Sequence, residues 1–176
     1  GETRAAQPLV RALLDQGDQV LLTHMTATGR AEALRAFGQA IQDGQLDVQW
    51  MPYDFPGAAR RFFRHYTPCA GILIEREVWP NLIAAGYRAG IPLMLVSARF
   101  SDQALRQSLR AGSVMRQALS SLTAVYAQTL EDAQRLEQAG AAVPSVSGNF
   151  KFDVSLPQER IQRARQFAAA LGRKVV

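Results

Sequence analysis

The sequence predicts an α/β protein, a Rossmann-like parallel sheet with helices on both faces. Short apolar segments alternate with helix-length segments, helix-starting and helix-ending residues stand between them, and 48% of the 176 residues are hydrophobic. Strands that alternate with helices are typical of a parallel sheet. A chain of this length buries roughly 70% of its unfolded surface, which is enough for a full core.

Six short apolar segments predict the strands. They are residues 19–24, 46–51, 70–75, 92–97, 123–128 and 144–148. The carboxyl ends of parallel strands meet at one edge of the sheet, and ligands bind outside that edge. We therefore expect functional residues directly after these segments.

Helix-length segments with apolar residues three or four apart separate the strands. They are residues 3–16, 28–42, 56–66, 80–89, a pair within 101–120, and 130–139. Thr28, Pro56 and Pro80 stand where helices should begin, and Gly90 and Gly140 stand where helices should end.

Both ends of the chain predict a larger protein. The first helix, residues 3–16, has no strand before it, so we expect that the first strand is missing. Residues 158–171 predict an Arg- and Ala-rich linker helix, and residues 173–176 begin a new run. We expect a domain over residues 1–154, with a linker helix and the start of a second domain over residues 155–176.

The charge favours anionic partners. Twenty Lys and Arg against fifteen Asp and Glu give a net charge of +5, which favours phosphates or an acidic membrane face. The basic residues are scattered and no nucleic-acid motif occurs, so nucleic acid is not an expected partner. No apolar run approaches the ~18 residues of a membrane span, so we expect a soluble fragment.

Motifs for several kinds of chemistry are missing from the sequence. The lack of G-x-G-x-x-G and of a P-loop argues against nicotinamide, flavin or P-loop nucleotide binding. No D-x-D, H-E-x-x-H or Cys/His cluster occurs, so we expect neither a metal nor a cofactor. Cys69, the one cysteine, is predicted to be a small buried hydrophobe.

Glu75 and Glu77 close an apolar run directly before Trp79 and Pro80. In an extended segment, side chains two residues apart share a face and lie roughly 7 Å apart, with Arg76 opposite. The two carboxylates would then face the ligand edge. The alternative for Glu77 is that it stabilises the N-terminus of the helix that begins near Pro80, by about 0.3 to 1 kcal/mol. Trp79 is predicted to fill the core.

Six blocks of sequence occur together in a family-specific order. They are GE (residues 1–2), MTATG (25–29), PYDFP (52–56), EREVWPNL (75–82), ARFS (98–101) and GNFKFD (148–153). In combination they resemble the N-terminal domain of bacterial 3-deoxy-D-manno-octulosonic acid (Kdo) transferases, over residues 1 to about 154. Arg76, Ser97 and His24 depart from the usual threonine, asparagine and threonine of that family.

The resemblance implies a fold and a reaction. The family has the GT-B architecture of two Rossmann-like domains and transfers Kdo from CMP-Kdo to lipid A precursor (lipid IVA) in lipopolysaccharide biosynthesis. It does so with inversion, without a metal ion, at the cytoplasmic face of the inner membrane. Most donor contacts come from the C-terminal domain of the family. This fragment alone is therefore expected to be inactive.

The resemblance also implies residue roles. Glu2 is expected to be the general base, because a sugar hydroxyl is a weak nucleophile that needs a positioned proton acceptor. The residues expected to bind the acceptor are Glu75, Glu77, Thr28, Arg30, Arg99 and Lys151. From the residues alone, Glu2 would be a first-turn acid and the cations would be solvated surface.

The sequence allows two alternatives for one helix and three for the function. Residues 56–66 interleave Arg60, Arg61 and Arg64 with Phe62 and Phe63, so this helix either lies on anionic lipid headgroups or buries its Phe rings on the sheet. Two other functions also fit: another GT-B nucleotide-sugar transferase or epimerase, and a noncatalytic α/β module that binds a phosphorylated ligand.

Overall fold

The structure, a computed structural model, describes residues 2–149 of the chain. Its helices are α1 (Glu2–Asp15), α2 (Ala27–Ala36), α3 (Gly38–Gln42), α4 (Pro56–Tyr66), α5 (Pro80–Arg88), α6 (Asp102–Ala111), α7 (Ser113–Ser120) and α8 (Leu130–Ala139). Its strands are β1 (Val20–His24), β2 (Leu46–Trp50), β3 (Gly71–Ile74), β4 (Leu93–Ala98), β5 (Ala124–Ala127) and β6 (Ser145–Val146). The predicted alternation of strands and helices is confirmed.

All pairs among the described strands are parallel, as predicted, but these strands form two sheets instead of one. β1 pairs with β2, and the second sheet has the order β3-β4-β5-β6. Residues of α1 and α2 pack on the β1–β2 sheet, and residues of α4, α5, α7 and α8 pack on the four-stranded sheet.

The predicted helix over residues 28–42 is broken at Phe37. This residue leaves helical geometry, with φ −124° and ψ 23°, and ends α2 while its N–H donates to Ala33 O. The ring of Phe37 is buried beside Val10 and Val48, so core packing accounts for the break. Thr26 rather than Thr28 caps α2.

Within residues 2–149 the core consists of two apolar clusters, one beneath each sheet. The smaller cluster joins α1, α2 and the β1–β2 sheet, and Ile74 of β3 packs against it. The larger cluster lies under the four-stranded sheet and includes Phe63, with Phe62 packed against it. The α4 helix therefore buries its Phe rings on the sheet and exposes Arg60 and Arg61, which is the second of the two alternatives.

Cys69 is exposed, so its predicted burial is wrong. It lies in the turn between α4 and β3, before the chain enters the sheet. None of the helices within residues 2–149 is both long enough and apolar enough to cross a membrane. The predicted linker helix and the domain boundary at residue 154 lie outside the described residues.

Candidate functional site

A cavity of about 640 Å³ opens between β1 and β3 at the carboxyl ends of the strands. Its mouth is formed by the start of α1, the loop after β1, the first turn of α2 and the segment after β3. The mouth residues include Glu2, Thr3, His24, Thr26, Thr28, Gly29, Glu77 and Trp79. The cavity thus brings together three of the residues predicted from sequence: Glu2, Thr28 and Glu77.

Close packing at Gly29 places Glu2 in this mouth. A side-chain carbon at Gly29 would lie 3.0 Å from Thr26 Oγ1, 3.2 Å from His24 Nδ1 and 3.3 Å from Thr3 Oγ1. Thr3 Oγ1 also donates to the carbonyl of Gly29 across 3.4 Å, and Thr26 Oγ1 accepts from Gly29 N–H at 3.2 Å. The first turns of α1 and α2 are therefore held against each other.

Glu32 on α2 ties the same two helices together on the surface. It forms ion pairs with Arg4 of α1 at 3.0 Å and with Arg35 at 2.7 Å, and it accepts from Gln7 Nε2 at 3.4 Å. The hydrogen bonds from Arg35 and then Arg4 lower the pKa of the Glu32 carboxyl to about 2. Glu32 therefore stays ionised and keeps α1 attached.

Glu77 is held by its neighbour Trp79. The indole N–H donates to Oε2 of Glu77 across 2.5 Å, and both side chains are half-buried in the cavity wall. Trp79 also packs against the larger core cluster, which agrees with its predicted role as core filler. The indole has a second role that the sequence analysis did not identify, because it orients a carboxylate of the site.

The predicted extended geometry of Glu75 and Glu77 is wrong. The strand ends at Ile74, Glu75 has φ +58°, and Glu77 N–H donates to Ile74 O at 3.3 Å in a turn. Glu75 is consequently buried, with 4% of its surface exposed, and does not line the cavity beside Glu77. The turn at Glu75 therefore keeps its side chain out of the cavity that Glu77 lines, although the two residues are only two positions apart.

Two strained residues lie side by side at this edge. Glu75 and Ser97 follow the paired residues Ile74 and Val96, and their φ angles are +58° and +50°. Positive φ is costly for residues other than glycine and concentrates at functional sites. Arg99 N–H donates to the carbonyl of Glu75 at 3.3 Å, and this bond helps to hold the turn.

Asp54 anchors the segment after β3 to the loop after β2. Its Oδ1 accepts from Leu82 N–H at 2.8 Å and its Oδ2 accepts from Asn81 N–H at 3.2 Å, so it caps the first turn of α5. The Asn81 side chain donates to the carbonyl of Asp54 at 2.7 Å. The Asp of P-Y-D-F-P and the Asn of W-P-N therefore form one structural clamp.

His24 lines the cavity on the α2 side, and Arg30 lies next to it. His24 is buried, and desolvation followed by the charge of Arg30 lowers the pKa of its imidazole. The Arg30 guanidinium lies 5.5 Å from the ring centroid of Trp50, in a cation–π arrangement. Arg30 is therefore directed toward β2, beside the cavity instead of inside it.

Comparison with known proteins identifies the family. A profile of the N-terminal domain of "3-Deoxy-D-manno-octulosonic-acid transferase (kdotransferase)" matches residues 1–154. The chain belongs to the Kdo transferase family. A 3-deoxy-D-manno-octulosonic acid transferase of Bordetella pertussis is 57% identical over the whole chain, which covers 41% of that relative. The homologous enzyme of Haemophilus influenzae is 26% identical over 93% of this chain and 38% of the relative.

A probable mitochondrial member of the Kdo transferase family from Arabidopsis thaliana is also similar. It is 36% identical over 61% of this chain and 23% of its own length. The chain thus spans less than half the length of these curated relatives.

The site residues predicted for this Kdo transferase family member divide into three groups. Glu2, Thr28 and Glu77 line the cavity, whereas Arg30, Glu75 and Arg99 do not line it. Lys151 lies outside the described residues. Within residues 2–149, no three His, Cys, Asp or Glu side chains are grouped so as to hold a metal ion.

The site also includes features that were not predicted from the sequence: His24, Asp54, Asn81 and the orienting role of Trp79. An Asp before a Pro-started helix and an Asn after Trp-Pro are weak signals of helix capping. No pattern along the chain indicates that the two lie on different loops of one clamp, because 27 residues separate them.

Proposed function

We propose that this chain is the acceptor-binding half of a two-domain GT-B enzyme that transfers Kdo from CMP-Kdo to a lipid A precursor. One observation carries the proposal: Glu2 and Glu77 line the same cavity at the carboxyl edge of parallel strands. The identity of the transferred sugar, Kdo, is taken from the names of the relatives and of the matched family. The donor is assigned to the domain that follows this chain in the longer protein.

In the proposed reaction Glu2 acts as the general base. It takes the proton of an acceptor hydroxyl while that oxygen attacks the anomeric carbon of Kdo, which contributes about 10²- to 10⁴-fold in rate. The bond to the CMP oxygen breaks in the same step, and its electrons leave with CMP. A single displacement of this kind inverts the anomeric configuration. Cationic side chains and backbone N–H groups stabilise the phosphate charge.

The remaining predicted residues surround the acceptor in this proposal. Thr28 and Glu77 contact its sugar hydroxyls from opposite walls of the cavity. Arg30 and Arg99 are assigned to the phosphates of the acceptor, because a guanidinium can hold a phosphate oxygen through two donors. The family resemblance assigns Lys151 to the same acceptor site, whereas Glu75 is buried and does not line the cavity.

The test is the Glu2→Gln variant of the full-length enzyme, assayed with CMP-Kdo and lipid IVA. We expect kcat to fall by roughly 10²- to 10⁴-fold while acceptor affinity is retained. Glu131→Gln is the matched control, because Glu131 is also an acid in the first turn of a helix, α8. An equal loss of kcat in the two variants would mean that Glu2 only stabilises the N-terminus of its helix.

The same assay separates the alternatives. Turnover of a UDP-sugar in place of CMP-Kdo would favour another GT-B transferase or an epimerase. Unchanged turnover in Glu2→Gln would reject the general-base role, and binding of phosphorylated ligand without any transfer would favour the noncatalytic module. The 176-residue chain by itself is expected to give no transfer, because the proposed donor domain is absent from it.

We also propose that the enzyme meets its lipid substrate at the cytoplasmic face of the inner membrane. Three aromatic side chains are exposed in and after β2: Trp50 at 53%, Tyr53 at 73% and Phe55 at 67%. The α4 helix buries its Phe rings, so its part in this surface is limited to its exposed arginines, which follow these aromatics in the chain. Exposed aromatic and cationic side chains suit an anionic headgroup region.

Vesicle sedimentation tests this surface in the full-length protein. Tyr53→Ser with Phe55→Ser is expected to weaken binding to vesicles that contain phosphatidylglycerol, and Tyr87→Ser, an exposed aromatic on α5, is the control. Equal binding to purely zwitterionic vesicles would contradict the role of the arginines.

A further inference from the structure

A second pocket, of about 450 Å³, lies between the last turns of α4 and α5. It opens at the end of the sheet where β3 and β4 begin, whereas the cavity that contains Glu2 lies at the carboxyl ends of the strands. Its apolar lining includes Phe63, Ala85 and Ile91, and its cationic lining consists of Arg60, Arg64 and Arg88. A concave, apolar site with a few placed charges is typical of binding sites.

Close packing at Gly86 fixes the two helices beside this pocket. A side-chain carbon at Gly86 would lie 2.7 Å from Leu93 Cδ1 and 3.2 Å from Phe63 Cζ. Phe63 and Ala85, which line the pocket, are buried members of the larger core cluster. The apolar floor is therefore part of the core, so an occupant does not have to order it on binding.

The three arginines of the pocket have no acidic residues beside them in the chain. Between Asp54 and Asp102 the only acids are Glu75 and Glu77, which follow β3 at the opposite end of that strand. Within residues 2–149, none of the three guanidinium groups forms an ion pair. Their charges are therefore open to an anionic partner.

The stabilisation of helix ends accounts for only part of this arrangement. Arg64 and Arg88 lie in the last turns of α4 and α5, where the carbonyl groups stabilise a cation. Arg60 lies before the last turn and four residues from Arg64, and like charges at that spacing destabilise a helix. Thr67 follows α4 with φ +42°, where glycine is usual, and its side chain also lines the pocket. Both features lower stability, which favours a binding role for them.

We propose that this pocket binds an acidic segment of a partner protein, in which apolar side chains lie between carboxylates. The apolar side chains rest on the floor that Phe63 and Ala85 form. The carboxylates accept hydrogen bonds from the three arginines, since a guanidinium holds a carboxylate through two N–H donors. Arginines and apolar anchors in pockets dominate the energies of protein interfaces, and the cationic walls select an acidic partner.

The shape and position of the pocket distinguish this occupant from a membrane surface. Tyr53 and Phe55 precede α4, and the pocket lies at the far end of this helix, whose eleven residues span roughly 16 Å. Lipid headgroups on a broad bilayer face would contact the arginines and leave the apolar floor uncovered. A free phosphate would do the same. A segment that carries both carboxylates and apolar side chains matches the walls and the floor together.

Fluorescence anisotropy with the full-length protein tests the proposal. The probe is a fluorescein-labelled peptide, Asp-Glu-Leu-Leu-Glu-Asp, and two comparison peptides replace either its acids by Gln or its leucines by Ser. We expect saturable binding of the probe that weakens as salt is raised, and affinities lower by about 10-fold or more for both comparison peptides. Absence of saturable binding would overturn the proposal, and so would equal binding of the Ser peptide.

A charge variant locates the binding site. Arg88→Gln removes one cation of the pocket, and Arg61→Gln is the matched control, because Arg61 is exposed on α4 and does not line the pocket. We expect Arg88→Gln to lower the affinity for the probe by about 10-fold, because it loses a charged hydrogen bond. Arg61→Gln should leave the affinity nearly unchanged. Equal losses would show that the peptide responds only to net charge, which would overturn the proposal.

A variant that fills the pocket without a change of charge completes the test. Ala89 is exposed, lines the pocket and has φ −84°, so Ala89→Leu keeps an ordinary backbone conformation. We expect this variant to lower the affinity for the probe by about 10-fold, because the added side chain occupies the place of the apolar anchor. Its binding to phosphatidylglycerol vesicles should equal that of the parent. Weaker vesicle binding in Ala89→Leu would assign the pocket to a lipid headgroup and overturn the proposal.

Discussion

The indole N–H of Trp79 and Oε2 of Glu77 are 2.5 Å apart, and this bond fixes a carboxylate of the candidate acceptor site. A long side chain such as Glu has several rotamers, and a charged hydrogen bond restricts them to one. The bond joins the larger core cluster, against which Trp79 packs, to the cavity.

Trp79→Phe in the full-length enzyme should lower kcat/KM by roughly 10-fold or more, because a hydrogen bond to a charged group contributes about 1.5 to 3 kcal/mol. Phe keeps most of the packing. A cycle with Glu77→Gln checks the mechanism: the two losses should be strongly non-additive. Additive losses would mean that Trp79 acts independently of Glu77.

Gly29→Ala should destabilise the protein by about 1 to 3 kcal/mol, because the new methyl group overpacks the contact with Thr26, His24 and Thr3. Gly38→Ala is the matched control, since nothing lies within 4 Å of the added carbon. That control should be neutral or slightly stabilising. Urea denaturation measures both, and equal midpoints for the two variants would contradict the packing at Gly29.

Asp54→Ala should cost about 0.5 to 2 kcal/mol, because two backbone N–H groups of α5 lose their acceptor. The exposed Asp18, which follows α1, provides Asp18→Ala as a control of equal charge change. The free energy of unfolding is measured for both variants. An equally large loss of stability in Asp18→Ala would show that the change in net charge, and not the loss of the cap, accounts for the effect.

Glu32 should make the stability depend on pH in a defined window. Its pKa is lowered from 4.5 to about 2 in the folded state, so its contribution is present above about 4.5 and is lost as the pH falls toward 2. Glu32→Gln should therefore lower the urea midpoint at pH 7, and the difference from the parent should shrink by pH 3. Glu137→Gln, which replaces an exposed acid of α8, is the control for the loss of one negative charge.

Periodicity and helix-end residues predicted the α/β class and most element boundaries, since these features depend on local sequence. Pro56 and Pro80 start α4 and α5 as expected, because proline suits the first turn of a helix. The break at Phe37 was not predicted, because the burial of its ring against residues distant in the chain outweighs the helical pattern of residues 28–42. The division into two sheets was equally hidden, because strand pairing is a tertiary property.

The meeting of Glu2 with Glu77 at one edge was predictable, because parallel strands share their carboxyl ends. The separation of Glu75 from Glu77 was not. It depends on a left-handed residue that is held by the backbone of Arg99, on the next strand connection. The Asp54–Asn81 clamp likewise joins two loops that the sequence analysis treated as separate motifs.

The exposed Cys69 offers a practical consequence. It is the single thiol of these 176 residues and precedes β3, at the end of the sheet away from the cavity mouth. The four residues of β3 span about 13 Å, so a maleimide dye there is separated from Glu77 by the length of the strand. Fluorescence from that position can follow ligand capture by this domain without a label obstructing the entrance.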